Sequence, residues 1–432
     1  MKILFLSDNF PPENNAAATR VYERACYWVR WGHQVTVITC APNFPQGRLF
    51  EGYKNLWHQT EEMDGIKVVR VKTFIANNSG VVLRTLDFLS FMFTGFNAVL
   101  KEETPDVIAA TSPQFFTAVA AWAGARARKV PFVFELGDLW PASIAAVGAM
   151  RQNILLRLIE KLELFLYRQS AAVVALTTSF KENLISRGID GEKITVAENG
   201  VDLSRYGPRQ RDSELSNAWG LKDTFIIGYI GTHGMAHGLG NVLDAAALLR
   251  EEPGLAFLLV GAGAERDSLI EDARARELDN VIFAPPQPKE DMPRVWSLCN
   301  VALVHLKNSP VFSGVIPSKI FEAMGMGLPI LLAAPEGEAS RIIEADKAGL
   351  AVPPGDPEAL AQAALKLMKD DALRNTLAAG SLAAAAGHNR ETQARIMIDV
   401  FGRIVAEDKT KLEMKNKTTA NEKKNKEEAP QS

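Results

Sequence analysis

Residues 313–330 read Ser-Gly-Val-Ile-Pro-Ser-Lys-Ile-Phe-Glu-Ala-Met-Gly-Met-Gly-Leu-Pro-Ile. Pro317 and Ser318 mark a helix start, with the Ser318 hydroxyl placed to cap free amides and Lys319 beside it. Gly325, Gly327 and Pro329 end that helix within about three turns. Ile330 to Ala333 are apolar and short, which suits a buried strand. Glu322 therefore stands one turn above a helix N-terminus. Unpaired amides and the positive end of the helix dipole suit a diphosphate. A carboxylate one turn further along is placed to accept hydrogen bonds from sugar hydroxyls. The plainer reading of Glu322 is a surface carboxylate on an amphipathic helix.

Working outward in both directions, short apolar runs alternate with helical stretches. Lys2 to Leu6 and Gln34 to Thr39 are strands around a helix that ends near Trp31. Lys67 to Val71, Asp106 to Ala110, Phe132 to Phe134, Ala172 to Ala175 and Lys193 to Val196 follow. After a polar interval come Phe225 to Gly231, Ala256 to Gly261, Val281 to Ala284, Val301 to Leu306 and Pro329 to Ala333. Parallel strands with crossover helices are the economical arrangement. Helices are expected over 356–369, 371–386 and 390–406.

The length of 432 residues predicts two to three domains. A 47% hydrophobic and 23% charged composition is that of a globular protein with a large core. A net charge of −3 with no strongly basic region argues against nucleic acid as a partner. Cys26, Cys40 and Cys299 form neither a metal spacing nor a disulfide framework, so a reducing cytoplasm is the simple reading. Met1 to Leu6 is too short for a signal peptide. No uncharged apolar run reaches the roughly 18 residues of a membrane span.

Four further stretches carry chemistry. Gly228-Tyr-Ile-Gly231-Thr-His-Gly234-Met-Ala-His-Gly238 joins a strand to a helix, where glycines let backbone approach a diphosphate; a plain tight turn is the alternative. Gly261-Ala-Gly263 ends another strand. Phe132-Val-Phe-Glu135-Leu-Gly-Asp138-Leu-Trp140-Pro141 carries two carboxylates to a strand end, and Asp138 as a mere turn cap is the alternative. Phe10-Pro11-Pro12-Glu13-Asn14-Asn15 forms the first strand-to-helix loop, at a carboxyl strand end where open α/β sheets bind ligands. That loop contains no G-x-G-x-x-G, so a dinucleotide is not suggested.

Pro317-Ser318-Lys319-x-x-Glu322-x-x-x-x-Gly327-x-Pro329 resembles the nucleotide-sugar site of family-4 glycosyltransferases. Asp138-Leu-Trp140-Pro141 resembles a motif of the branch that builds bacterial surface polysaccharides, O-antigen and capsule. Glu198-Asn-Gly-Val-Asp202 resembles the family's Pro-Asn-Gly-Val-Asp hinge, with glutamate for proline. The resemblance covers roughly residues 1 to 405. It implies an α/β protein of two Rossmann-like domains with parallel sheets facing across a cleft, the GT-B fold. The expected parts are an acceptor-side domain over 1–202, a linker over 203–224 and a donor domain over 225–389. A helix over 390–406 would cross back to the first domain, and 407–432 would be a disordered tail.

The resemblance also assigns expected roles. Lys319, Glu322 and Asp138 are the candidate catalytic residues. Gly231, Thr232, His237, Gly263, Gln287, Gly314 and Ser318 would face the donor, with Gly263 and Gln287 near the base. Asn14, Asn15, Glu135 and Ser112 would lie on the acceptor side. Relatives carry a glycine pair where Asn14-Asn15 stand, and asparagine tolerates left-handed backbone. Thr232 and His237 stand where many relatives have Arg and Lys, which leaves Lys319 as the main cation for the phosphates. The family's first motif glutamate falls on Gly314, which opens the identity of the donor.

No Asp-x-Asp metal clamp occurs in the chain, so no metal or other cofactor is expected beyond the nucleoside diphosphate sugar. The resemblance implies hexosyl transfer with retained configuration to a glycan or polyprenyl-diphosphate-linked acceptor. Two apolar stretches, Val81 to Leu100 and Arg151 to Arg168, have the spacing of core helices or of helices lying on an anionic membrane. The second would suit an enzyme at the inner face of the plasma membrane. Two rivals remain: a sugar-nucleotide-binding partner without turnover, and an enzyme like the UDP-N-acetylglucosamine 2-epimerases, whose histidine set is not recognisable here.

Overall fold

The computed structural model describes residues 1–13, 15–44, 46–75, 81–112, 114–139 and 154–427. Asn14, Trp140, Pro141 and Arg151, singled out above, lie outside them.

The first lobe is built on a sheet of eight strands in the order β3-β4-β2-β1-β5-β6-β7-β8. Its strands are β1 (Lys2–Leu6), β2 (Gln34–Cys40), β3 (His58–Met63), β4 (Ile66–Val71), β5 (Val107–Thr111), β6 (Phe132–Leu136), β7 (Ala172–Ala175) and β8 (Ile194–Val196). All pairs are parallel except β3 with β4. Its helices are α1 (Ala16–Arg30), α2 (Val81–Lys101), α3 (Phe115–Arg128), α4 (Ile154–Gln169) and α5 (Thr178–Ser186). The apolar runs become strands covered on both faces because successive residues point oppositely. Ile3 and Phe5 pack toward α1, whereas Leu4 and Leu6 pack toward α2 and α3.

The second lobe holds six parallel strands in the order β11-β10-β9-β12-β13-β14. They are β9 (Phe225–Ile230), β10 (Leu255–Val260), β11 (Val281–Ala284), β12 (Val301–His305), β13 (Ile330–Ala333) and β14 (Gly349–Val352). Helices α6 (Ser213–Ala218), α7 (Gly240–Leu248), α8 (Arg266–Ala275), α9 (Met292–Trp296), α10 (Lys319–Met326), α11 (Glu338–Ala345), α12 (Pro357–Lys369) and α13 (Asp371–Ala385) flank them. The last helix, α14 (Arg390–Glu427), returns to the first lobe. There Phe401 meets Trp28 edge-on at 5.4 Å, and the Trp28 indole donates to the Ala394 carbonyl at 3.0 Å.

Two expectations are corrected. Residues 203–224 are not an irregular linker: Asp212 caps α6, and Tyr206 and Leu221 are buried in the second core. The apolar side chains scattered through that polar stretch are enough to fasten it. The tail expected to be disordered continues α14 to Glu427, with 407–415 exposed. Lys and Glu at helical spacing, such as Glu407 with Lys411 and Glu413 with Lys417, supply local support where no burial does.

Ion pairs fasten the lobes at the hinge. Val201 exchanges backbone hydrogen bonds with His388 and Arg390, each at 2.9 Å. Glu23 of α1 takes Arg390 Nε at 2.7 Å, Lys289 Nζ at 2.8 Å and Arg205 Nη1 at 3.7 Å. Burial alone would raise the Glu23 carboxyl, but Arg390 and Lys289 hold it below the usual range.

Phe401→Ala should detach the returning helix from Trp28 and cost about 3–5 kcal/mol of stability. Urea unfolding of the full chain measures it, and a loss under about 1 kcal/mol would contradict this packing.

Candidate active site

The strand ends of the second lobe form a glycine-lined hollow. Gly231 follows β9, and Gly261 follows β10. A Cβ on Gly261 would lie 1.9 Å from the Gly231 carbonyl, so the two turns nest only because the side chain is absent. Gly263 packs in the same way on the His233 backbone. A Cβ on Gly231 would meet Lys319 Nζ at 2.9 Å, which puts the ammonium directly over this turn.

Lys319 is 8% exposed and its Nζ has no hydrogen-bond partner among the described residues. It sits 3.4 Å from the centroid of the Tyr229 ring. Burial lowers the ammonium to a pKa of about 7, with Glu322 pulling upward. Ser318 does not cap α10 as expected. Its backbone is already helical (φ −57°, ψ −26°) and its hydroxyl makes no cap bond. Ile320 and Phe321 donate back to Pro317 and Ser318 at 3.0 and 3.1 Å. The amides of Ser318 and Lys319 keep no backbone partner among the described residues. Gly327, at φ +67°, closes the helix.

Glu322 accepts a hydrogen bond from the Trp296 indole at 3.0 Å. Burial raises its carboxyl, partly offset by that bond, and the hinge charges Glu23 and Lys289 lie within its field. His305 donates from Nδ1 to the His237 carbonyl at 2.6 Å, so its Nε2 accepts from the Asn241 amide at 2.9 Å. Burial keeps His233 and His305 neutral, with pKa near 4, and His237 near 3. These imidazoles add polarity to the hollow but no charge. Thr232 is exposed at its rim, and Gln287 is half-buried beyond β11.

Across the cleft, Asp138 follows β6 and is half-buried, its amide 3.3 Å from Ser112 Oγ. Three acceptor-side expectations are corrected. Ser112 Oγ instead receives the Gly137 amide at 2.8 Å and holds the loop that carries Asp138. Glu135 points into the core: strand alternation turns it toward α1, where it pairs with Arg20 at 3.1 Å and with Arg24. Burial would raise Glu135, but the two guanidinium groups hold it low. Asn15 takes extended backbone, not left-handed, and its side chain caps α1 at the Ala18 amide.

Sequence reasoning missed Tyr229, His233, Trp296 and Arg266. Arg266 opens α8 and donates to the Gly261 carbonyl at 3.0 Å, placing a second cation beside the hollow. An Arg a few residues past a glycine-rich strand end was the available signal. Among the described residues, no group of three or more His, Cys, Asp or Glu could hold a metal ion.

Residues 15–200 match the model of the glycosyl transferase 4-like domain, and residues 212–381 match that of glycosyl transferases group 1. The chain belongs to the family-4 glycosyltransferases. It is 27% identical over 338 residues to the putative colanic acid biosynthesis glycosyl transferase WcaI of Escherichia coli (strain K12), covering 76% of this chain and 82% of the relative. Two further curated relatives are matched over 52% and 58% of their own lengths. Sucrose-phosphate synthase from Thermosynechococcus elongatus superposes with a TM-score of 0.77 at 18% identity, covering 94% of this chain and 99% of that one. Anabaena Alr3699/HepE in complex with UDP-glucose gives 0.72 at 19% identity, covering 93% and 100%. Both likenesses show the GT-B fold.

In this family-4 chain, Gly314 packs closely against the first lobe. It ends the 3₁₀ turn Pro310–Gly314, and a Cβ there would meet Ser179 Cβ of α5 at 2.9 Å. The first lobe therefore fills the space into which a glutamate side chain would begin. Nearby, the Glu338 carboxylate of the second lobe takes the Ser179 amide.

Gly314→Glu should push the lobes apart and destabilise the protein by about 1–3 kcal/mol. A melting midpoint unchanged from wild type would contradict the close approach.

Proposed function

We propose that this family-4 glycosyltransferase transfers a hexosyl or N-acetylhexosyl residue from a nucleoside diphosphate sugar, with retention, to a glycan or polyprenyl-diphosphate-linked acceptor in surface polysaccharide synthesis. The observation that carries the reading is the Lys319 ammonium, buried and without a hydrogen-bond partner over the Gly231 turn. A buried cation in that position favours an anion beside it. The amides of Ser318 and Lys319 and the positive end of α10 add to the attraction. Together they meet the charge that develops on a departing diphosphate, without a metal ion in the proposal.

Glu322 is then the group that accepts from hydroxyls of the bound nucleotide sugar. Asp138, on the loop held by Ser112, is the carboxylate that meets the acceptor hydroxyl or the transferred hexose. Retention follows if the acceptor approaches the face the diphosphate leaves, with a diphosphate oxygen taking its proton. A binding partner without turnover is the second reading, and the glycine at 314 is the observation that favours it.

Lys319→Met should weaken nucleoside diphosphate binding by roughly 10- to 100-fold, the cost of losing one charge-assisted contact. Glu322→Gln should lower transfer with binding largely kept. Thermal shift against UDP-, GDP- and dTDP-sugars identifies the donor, because a ligand of the native state raises the melting midpoint. A stabilising donor that is never consumed with any lipid-linked acceptor would favour the binding-partner reading. Unchanged binding in Lys319→Met would refute the site.

We infer further that the first lobe rests on an anionic membrane. No helix among the described residues is long and apolar enough to cross a membrane. Leu83, Leu86, Phe93 and Leu100 of α2 are exposed along one stripe, and so are Leu158, Leu162 and Phe165 of α4. Arg157, Lys161 and Arg168 are exposed beside the second stripe, which supports an acidic partner surface. In sedimentation with vesicles containing phosphatidylglycerol, Leu158→Ser/Phe165→Ser should lose most binding. Equal sedimentation of variant and wild type would exclude this face.

A further inference from the structure

We propose that Tyr229 is a positioning residue for the proposed reaction: its ring face holds the Lys319 ammonium over the Gly231 turn, where the leaving group arrives. The inference rests on the reading that Lys319 meets a diphosphate.

Tyr229 lies on β9 and is fully buried. Its hydroxyl donates to the Thr232 carbonyl at 2.7 Å, which fixes the ring against the turn that bounds the hollow. His233 and His237 stand at 5.8 and 5.9 Å from the ring centroid and leave a face for Nζ at 3.4 Å. An ammonium removed from water needs compensation, and no oxygen supplies it here. The π face does so without neutralising the charge or occupying the donor protons. A carboxylate in the same place would hold the cation more tightly but would compete with the incoming anion. Tyr229 therefore keeps Lys319 both located and available.

The groups facing Lys319 are Tyr229 on β9, His233 and His237 on the loop after it, His305 at the end of β12 and Glu322 on α10. The three imidazoles stay neutral above about pH 4. Lys319, at about 7, is thus the base of this set whose charge changes in the neutral range, while burial raises the Glu322 carboxyl from its ordinary value. The folded value of Lys319 lies below the ordinary one, so nucleotide affinity should be full at lower pH and fall as pH rises through about 7. The limiting slope is about tenfold per pH unit for one proton.

The test is calorimetric titration of UDP, GDP, ADP and dTDP into the full chain between pH 5.5 and 9. Wild type should show the fall near pH 7 with its best ligand, and Lys319→Met should be weak and flat. Tyr229→Phe, which keeps the ring, should retain the wild-type midpoint. Tyr229→Leu should move it toward acid by about one pH unit, the size expected when a desolvated cation loses an aromatic face. A role limited to packing would lower the melting midpoint in Tyr229→Leu and leave the pH midpoint in place, which would overturn the proposal.

Should Tyr229→Leu fail to fold, replacing all six tyrosines by 3-fluorotyrosine weakens the ring face at nearly constant volume. An acid shift then supports the proposal and an unmoved midpoint overturns it. If Lys319→Met binds like wild type, or no nucleotide binds at all, the underlying site reading falls as well.

Discussion

A positive charge kept out of water with no carboxylate against it sets the terms for the second lobe. Burial works against that charge and lowers Lys319 to about 7, and the groups around it locate the ammonium without pairing it. Gly231 and Gly261 nest their turns to leave the hollow, Tyr229 offers a polarisable face, and three imidazoles stay uncharged beside it. The N-terminus of α10 adds two amides with no partner of their own among the described residues. Such a site has more attraction for an anion than the protein itself satisfies.

The first lobe spends its charges differently. Glu135 is tied to Arg20 and Arg24, and Arg24 also reaches the carbonyls of Ala197 and Glu198 ahead of the hinge. Glu23 gathers Lys289, Arg205 and Arg390 from beyond the hinge. Buried ion pairs contribute little net stability, but removing one partner is expensive. Their effect here is to fix how α1 meets the second lobe and α14. The cleft geometry is then a property of charge pairing as much as of apolar packing.

Much of this was legible in the chain itself, for identifiable reasons. Short apolar runs such as Lys2–Leu6 and Ala256–Gly261 suit strands buried on both faces, and the motif from Pro317 to Pro329 marks a helix between two of them. β3 escaped because His-Gln-Thr-Glu-Glu-Met is an edge strand with no buried face. β14 escaped because Gly349–Val352 is short and only half-covered. Glu135 was misread because a carboxylate near a strand end suggests a site, while its parity on β6 sends it to the α1 face. Ser318 has the right residue type for a cap but already helical backbone. Tyr229 could not be paired with Lys319 from sequence, since ninety residues separate them and only the sheet order brings β9 beside β12.

The contact between Gly314 and Ser179 joins the two halves of the chain. Recombining this donor half with an acceptor half from a relative would bring a new side chain against a surface fitted to a bare Cα. Successful chimeras must therefore carry 314 and 179 as a matched pair, and the module boundary lies in three-dimensional space rather than at the hinge.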